Sequence, residues 1–416
     1  MKSKLLKNTI YLYMLTVIKI LFPLITSPYL TRILTVDNFG VVAYVKAYVS
    51  YVQLLIDFGF ILSATKSIVN VKDDKTAVGI LTGNAIVEKS ILAVIAMIIT
   101  AITSCFTPIL GQNKLFVWLY FLSCAVTILI PDYLYRGLER MEYAAIPLVL
   151  SKVAVIIFTF LFVKGDNDIL LIPTFEIIGN LIAGFVSLAF LKKLEIRIRV
   201  QNFKVWFRDI KESSVYFFSN FATTFFGALT TLVVGFYMNK TDIAHWALCM
   251  QIVSAAKAMY SPVANSLYPY MIINKDLKLV RKVALIFTVP LALGVIIVLF
   301  FGEQVMVTIG GEGYSYAGYI LKYLLPVLIT SFYSMLYGWP ILGVIGKEKE
   351  TTISTVSAAV IQVVGIAGLV FSNSFNLISL AICCGVSELA LLIVRLWILY
   401  KNRGLLKITN EKEVKL

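Results

Sequence analysis

A chain of 416 residues in which 59% are hydrophobic and 14% are charged is more apolar than a soluble domain, where about 25% of residues are charged. Together with a mean hydropathy of +0.88, this composition excludes a set of soluble domains. The formal net charge of +14 needs no nucleic-acid partner, because basic loops beside anionic lipid head groups are usual in membrane proteins.

Continuous apolar runs recur along the chain, and each is long enough to cross a hydrocarbon core about 30 Å thick. Short alternating segments would indicate a β-barrel, so these runs predict an all-α, polytopic membrane protein of about twelve transmembrane helices. The first run lacks a small-residue cleavage site and is interpreted as a retained span rather than a signal peptide. The predicted spans are 10–34, 38–62, 78–104, 114–132, 143–163, 169–191, 214–238, 243–272, 281–302, 317–345, 351–372 and 376–400.

The loops between these spans alternate in charge, which predicts orientation through the positive-inside rule. One set, which includes both termini, holds about 26 of the Lys and Arg residues, whereas the opposite set holds about four. Both termini are therefore expected to be cytoplasmic, with the protein in a bacterial inner membrane. The opposite loops are short, so no domain is expected outside the membrane.

The longest hydrophilic stretch lies between the sixth and seventh predicted spans. We interpret it as a basic linker, 192–213, between an N-terminal lobe at 1–191 and a C-terminal lobe at 214–402, with a cytoplasmic tail at 403–416. Because each lobe has six spans, the lobes are expected to be related by a pseudo-twofold axis along the membrane normal. Transporters of this kind place their site at the lobe interface and work by alternating access.

Charged residues within the predicted spans are costly and are functional candidates by default. Cations exceed acids there, which indicates a cationic cavity. Such a cavity attracts an anion, for example pyrophosphate or an acidic sugar, whereas a cation exporter needs the opposite sign. The candidate cations are Lys19, Arg32, Lys46, Lys89, Lys152, Lys257, Lys322 and Arg395. The acids are Asp57, Glu88, Glu176 and Glu388.

Helical spacing groups several of these charges with polar residues. Lys46 and Asp57 fall on one face of the second span, and Lys257 lies on a similar face of the eighth. The alternative interpretation is helix packing, because Ser, Thr, Asn and Gln often hydrogen-bond between spans. The residues predicted to line a cavity are Ser50, Gln53, Asn220, Ser254, Ser261 and Asn265.

The strongest candidates are mid-span lysines without an acid four residues away, because packing explains them poorly. The principal ligands of a phosphate or acidic sugar are expected to be Arg32, Lys46 and Lys257. The supporting ligands are expected to be Lys19, Lys152 and Lys322. The expected coupling or gating carboxylates are Asp57 and Glu176. Arg395 lies near the end of its span and is expected to extend to the interface.

Motifs for metal or cofactor chemistry are few. His245, the only histidine, is interpreted as an incidental loop residue, and the five cysteines show no Cys-x-x-Cys pattern, so no metal site is expected. The chain has no phosphate-binding loop, so ATP hydrolysis is not expected. We also expect no cofactor, and we do not expect the protein to be an enzyme.

The stretch FPLITSPYLTRILTVDNFGVVAY at 22–44 resembles the opening signature of the polysaccharide flippase family (Wzx type). That family belongs to the multidrug/oligosaccharidyl-lipid/polysaccharide exporter superfamily. Its pattern is a helix that ends in Pro-Tyr-Leu-x-Arg-x-Leu, here Pro28 to Leu34, followed by a turn and Phe-Gly, here Phe39 and Gly40. Segments at 57–60, 131–141 and 346–348 are also similar to the family.

The resemblance implies a V-shaped bundle of two six-helix lobes around a cationic cavity. It also implies a flippase that carries undecaprenyl-pyrophosphate-linked oligosaccharide repeat units from the cytoplasmic to the outer leaflet, for O-antigen (lipopolysaccharide) or capsule assembly. The implied partners are this lipid-linked oligosaccharide, membrane lipids, a coupling proton or other ion, and a polymerase of the same pathway.

Two other functions stay open at this point. A multidrug/cation antiporter of the same superfamily would need a cavity centred on carboxylates, which the lysines outnumber here. A membrane polysaccharide polymerase would resemble this chain in hydropathy but would carry a large outer loop with basic residues, whereas the outer loops here are short.

Overall fold

The computed structural model describes the backbone of residues 2–274 and 277–402. It describes their side chains except at 2–7, 9, 12, 219–220, 222–227, 261–262, 265–266, 269 and 273–274. Most residues in these ranges are helical, and none of them forms a β-strand. The α-helices are α1 (Lys2–Ile33), α2 (Val36–Asp57), α3 (Phe60–Asn70), α4 (Lys75–Phe106), α5 (Pro108–Gln112), α6 (Lys114–Val126), α7 (Asp132–Gly137), α8 (Met141–Phe162), α9 (Leu171–Lys193), α10 (Phe203–Tyr237), α11 (Lys240–Asn274), α12 (Leu277–Gly310), α13 (Ser315–Tyr337), α14 (Glu348–Phe371) and α15 (Leu377–Lys401).

Long apolar helices confirm the prediction of an all-α, polytopic membrane protein. Among the described residues, ten helical segments are long and apolar enough to cross a membrane, and each overlaps one predicted span. The other two predicted spans, 214–238 and 243–272, overlap α10 and α11, where several side chains are outside the described set. Each of these helices has 35 residues, which is sufficient to cross a core of about 30 Å.

The second predicted span, 38–62, is interrupted before its end. Helix α2 ends at Asp57, and the next two residues, Phe58 and Gly59, have φ values of 38° and 77°. This left-handed backbone conformation cannot continue an α-helix, so the chain changes direction before α3 begins at Phe60. The Asp-Phe-Gly-Phe segment noted in the sequence is therefore a helix break.

The chain separates into two compact units, Met1–Ala244 and His245–Leu416. The first has a core around Tyr133 and Tyr135 of α7, both of which are fully buried. The second has a core that includes Phe332 of α13. Helix α10 belongs to the first unit, because it packs against α2, α3 and α4. The division into lobes at 192–213 stays a prediction.

Glycines allow α2 to lie very close to α10 and to the start of α11 within the first unit. A Cβ atom on Gly40 would overlap with the carbonyl oxygen of Lys240, and one on Gly235 would overlap with the Tyr44 ring. Gly40 is also the glycine of the Phe-Gly pair in the family signature. A glycine is therefore required at position 40 because the backbone of α2 lies very close to the backbone at Lys240.

Replacing Gly40 with alanine is expected to destabilise the protein by about 1–3 kcal/mol, because the helices must separate to admit the methyl group. The matched control is Gly368→Ala in α14, where no heavy atom lies within 4 Å of the added Cβ. That control is expected to be neutral or slightly stabilising. Thermal unfolding in detergent measures both variants, and a wild-type melting temperature for Gly40→Ala would contradict the close contact.

Candidate functional site

A largely buried ion pair connects α8 and α9 in the first unit. The Lys152 Nζ atom lies 2.8 Å from the Glu176 Oε2 atom, and the two side chains are 23% and 11% exposed. The Lys152 ammonium also lies 4.5 Å from the centre of the Phe22 ring of α1, which is a cation–π contact. Three helices therefore meet around the Lys152 charge.

Lys46 of α2 is within electrostatic range of this ion pair without contacting it, since Glu176 attracts its charge and Lys152 repels it. Within the described part of the chain, the Lys46 ammonium has no hydrogen bond and no ion pair of its own. The cluster contains two cations and one carboxylate. It therefore carries one net positive charge, and the half-buried Lys46 is its unpaired cation.

A second ion pair in the first unit connects α2 and α4. The Lys89 Nζ atom lies 2.8 Å from the Asp57 Oδ1 atom, and the Lys89 side chain is only 5% exposed. Gln53 donates a hydrogen bond of 2.8 Å to the other carboxylate oxygen of Asp57. The Lys89 ammonium also lies 5.5 Å from the centre of the Tyr133 ring. Asp57, which is expected to act in coupling, is thus held by a lysine from another helix.

The second unit contains an ion pair between α11 and α15. It is formed by Lys257, which is expected to be a principal ligand, and Glu388. These side chains are 34% and 22% exposed. One turn after Lys257, the hydroxyl groups of Tyr260 and Ser331 form a hydrogen bond of 2.5 Å. Lys257 has no acid nearby along its own helix, but it pairs with Glu388, which lies 131 positions later in the sequence and on another helix.

Arg395 of α15 is buried, so the expectation that it extends to the interface is wrong. Its guanidinium donates hydrogen bonds to the Ser334 carbonyl oxygen, to the Ser354 hydroxyl at 3.2 Å and to the Thr355 hydroxyl at 2.9 Å. These acceptors belong to α13 and α14. The side chain therefore holds three helices together where α13 continues into the π-helical turn Gly338–Gly343.

Replacement of Arg395 by methionine is expected to destabilise the protein by about 2–4 kcal/mol, since hydrogen bonds to a charged group are lost and buried acceptors are left unsatisfied. Lys349→Gln, at an exposed position of α14, is the control and is expected to stay within about 0.5 kcal/mol of the wild type. Thermal unfolding of the solubilised protein distinguishes the two. Identical stability of the Arg395 variant would contradict its role in linking the helices.

The other predicted cations have more varied environments. Lys19 and Arg32 are exposed on α1, Arg32 in its last turn. Lys322 of α13 is half-buried, and its Cε atom would lie 3.5 Å from a Cβ atom on Gly302 of α12. The roles of all three as ligands stay predictions.

The predicted polar lining is described only in part. The Ser50 hydroxyl donates a hydrogen bond of 2.6 Å to the Ala47 carbonyl of its own helix, and Ser254 is exposed. Besides binding Asp57, Gln53 donates to the Thr127 hydroxyl at 3.1 Å. The predicted side chains outside the described residues are Asn220, Ser261 and Asn265.

The interpretation of His245 as a loop residue is wrong, because His245 lies in the second turn of α11. It is buried, and its Nε2 atom forms a hydrogen bond of 3.0 Å with the Gly313 carbonyl oxygen. Its ring packs edge to face against Tyr314. These contacts account for a histidine that packs within the second unit.

Spacing along single helices missed the partners of the carboxylates in the predicted spans. Three of the four acids form ion pairs with lysines from other helices: Asp57, Glu176 and Glu388. The fourth, Glu88, is buried, and its Oε1 atom has no hydrogen-bond partner among the described residues. The available sequence signal was the presence of lysines and acids in the same set of spans, but this signal does not say which residues pair.

Comparison with known proteins places this chain in a family. Residues 5–275 match the family described as "Polysaccharide biosynthesis protein". The chain belongs to the polysaccharide biosynthesis protein family. It is 26% identical over 409 residues to the "Putative O-antigen transporter" of Escherichia coli (strain K12), across 95% of this chain and 97% of that protein. A protein of the same name from Shigella dysenteriae is 26% identical over 358 residues, across 82% of this chain and 87% of that protein.

Solved structures show the fold of this polysaccharide biosynthesis protein. An inward-facing multidrug resistance transporter of the MATE family and MOP superfamily matches with a TM-score of 0.69, at 13% identity, across 94% of this chain and 95% of that one. The lipid II flippase MurJ in an inward closed conformation matches with a TM-score of 0.68, at 14% identity, across 98% and 91%. The resemblance to polysaccharide flippases of the Wzx type, seen in the sequence, is confirmed.

Proposed function

We propose that this protein is a flippase that moves undecaprenyl-pyrophosphate-linked oligosaccharide repeat units from the cytoplasmic to the outer leaflet of the bacterial inner membrane. The units supply O-antigen or capsule assembly, both termini are cytoplasmic, and the cycle is one of alternating access. The family match, the names of the curated relatives and the fold shared with a lipid II flippase support this proposal.

The single observation that carries the proposal is the net positive cluster of Lys46, Lys152 and Glu176. Within it, only the Lys46 ammonium lacks a hydrogen bond or ion pair to a described residue. An unpaired lysine at membrane depth is costly unless a ligand or water compensates its charge. A pyrophosphate supplies the opposite charge and several acceptor oxygens, so Lys46 is assigned as its first ligand.

Glu176 acts as the gating carboxylate in this scheme. It holds Lys152 at 2.8 Å and also attracts Lys46. A bound pyrophosphate would compete with Glu176 for Lys46 and Lys152, because the pyrophosphate and the carboxylate are both anions that attract these two lysines. Cargo binding is thereby linked to the contacts among α2, α8 and α9, which carry these residues.

The same pairing argues against a multidrug/cation antiporter. A cationic drug requires a carboxylate that is available to bind it, but three of the four acids in the predicted spans, Asp57, Glu176 and Glu388, are each bound by a lysine. The fourth, Glu88, has no lysine partner among the described residues but is only 2% exposed. Freeing one of the three paired carboxylates would leave a lysine unpaired in the membrane, at a cost of several kcal/mol. An anionic cargo needs no such step at Lys46.

The test is to delete the gene and examine the lipid-linked oligosaccharides by mass spectrometry together with a probe of their sidedness. We expect complete repeat units to accumulate in the cytoplasmic leaflet. An unchanged lipid pool would contradict the proposal and point to drug efflux. Single units that reach the outer leaflet without being polymerised would also contradict it and point to a polymerase.

A further inference from the structure

The basic segment that follows α9 takes a fixed path along α4 in the first unit. The Arg199 backbone N–H donates a hydrogen bond of 3.2 Å to the Gly79 carbonyl oxygen. Cβ atoms on Gly79 and Gly83 would overlap with the carbonyl oxygens of Arg197 and Arg199. Because these two glycines lie one turn apart and have no side chains, the extended backbone at 196–202 contacts α4 directly.

Side chains hold both ends of this segment. Asn84 and Gln201 exchange two hydrogen bonds of 2.9 Å, and the Trp206 indole donates to Asn84 at 3.3 Å. At the other end, Lys75 lies 2.6 Å from Glu195, and its hydrogen bond and charge lower the pKa of Glu195. The side chains that point away from α4 therefore have a defined arrangement.

The exposed side chains of this segment are cationic and aromatic. Arg197, Arg199 and Lys204 are exposed and form no ion pair with any residue that the structure describes. Phe203 and Phe207 lie one turn apart at the start of α10 and are 66% and 64% exposed. Cations beside large exposed aromatic rings are typical of a surface that lies in the membrane interface.

We propose that the surface formed by Arg197, Arg199, Phe203, Lys204 and Phe207 binds the anionic head groups of lipids in the adjacent leaflet. The three cations bind lipid phosphates, and the two rings enter the boundary between head groups and acyl chains. Charge complementarity selects this occupant, because a zwitterionic lipid would not compensate three unpaired cations. The inference goes beyond the proposed flippase function, since it concerns the bulk lipids and not the cargo.

The test uses the purified full-length protein in phosphatidylcholine vesicles that contain brominated lipid, which quenches nearby tryptophan fluorescence. Because the chain has five tryptophans, the quenching of Trp206 is obtained as the difference between the wild type and the Trp206→Phe variant. We expect brominated phosphatidylglycerol to quench Trp206 at lower mole fractions than brominated phosphatidylcholine. The triple variant Arg197→Gln/Arg199→Gln/Lys204→Gln is expected to weaken this preference at least tenfold. The reason is that each cation near an anionic surface contributes about a fivefold increase in affinity. High salt is expected to weaken it as well.

The matched control removes three exposed cations from the start of α12, in Lys278→Gln/Arg281→Gln/Lys282→Gln, and is expected to keep the preference. Equal quenching by the two brominated lipids would overturn the proposal, as would an equal loss in the control. Displacement of brominated phosphatidylglycerol by traces of undecaprenyl pyrophosphate would assign the surface to the cargo and also overturn it. None of these outcomes measures export, so they are distinguishable from failure of the flippase proposal.

Discussion

Lys46→Glu is expected to abolish export of the lipid-linked oligosaccharide while leaving membrane insertion intact. The substitution changes the cluster around Lys152 and Glu176 from one net positive charge to one net negative charge, so that it repels a pyrophosphate. Loss of a desolvated charge partner costs about 2–5 kcal/mol, which corresponds to a decrease of at least about 30-fold. The measurement is the leaflet distribution of the oligosaccharide in cells whose only copy of the gene carries the variant.

Two variants are matched controls for this result. Lys46→Arg keeps the charge and is expected to retain part of the export activity, although guanidinium and ammonium geometries differ. Lys349→Glu makes the same change in net charge at an exposed position and is expected to export normally. Wild-type export by Lys46→Glu would refute the assignment of this lysine as an anion ligand.

Reversal of Lys257 to Glu is expected to abolish export as well, because the new carboxylate would face Glu388. The double variant Lys257→Glu/Glu388→Lys restores opposite charges. If Lys257 contacts the cargo, the double variant stays inactive although its stability recovers. Recovery of export would contradict the assignment of Lys257 as a ligand and leave it a structural role.

The second large effect is expected at the ion pair between α8 and α9. Lys152→Met leaves Glu176 without its partner in a poorly hydrated environment, where both side chains are less than one-quarter exposed. Breaking a buried pair in this way costs about 3–5 kcal/mol. We therefore expect a markedly lower melting temperature of the solubilised protein.

Replacing both partners, in Lys152→Met/Glu176→Met, is expected to recover most of that stability, because neither charge of the pair is left without its partner. Export is expected to stay impaired, since the double variant lacks a proposed ligand and the proposed gating carboxylate. A double variant that is as unstable as Lys152→Met would show that the side chains matter for packing and not as a charge pair.

The helices could be predicted from the sequence because the signal is local. Apolar runs long enough to cross the bilayer are readable directly, and ten of the predicted spans coincide with long apolar helices in the described residues. The break at Phe58 and Gly59 was less readable, since only the glycine signals a left-handed conformation and Phe58 adopts one as well.

The charge pairs could not be predicted because they depend on which helices become neighbours. Lys152 and Glu176 are 24 positions apart, whereas Lys257 and Glu388 are 131 positions apart. Spacing within one helix identified the lysines as unusual but could not supply their partners. Arg395 shows the same limit, since its three acceptors lie on two other helices.

The most direct test of the central claim is the affinity of the purified protein for undecaprenyl pyrophosphate, measured for the wild type, Lys46→Gln and the surface control Lys349→Gln. We predict that Lys46→Gln raises the Kd at least about tenfold, as expected for one charge-assisted hydrogen bond, while the control matches the wild type. An unchanged Kd for Lys46→Gln would contradict the account, because the one unpaired cation of the cluster would then have no part in binding the anion.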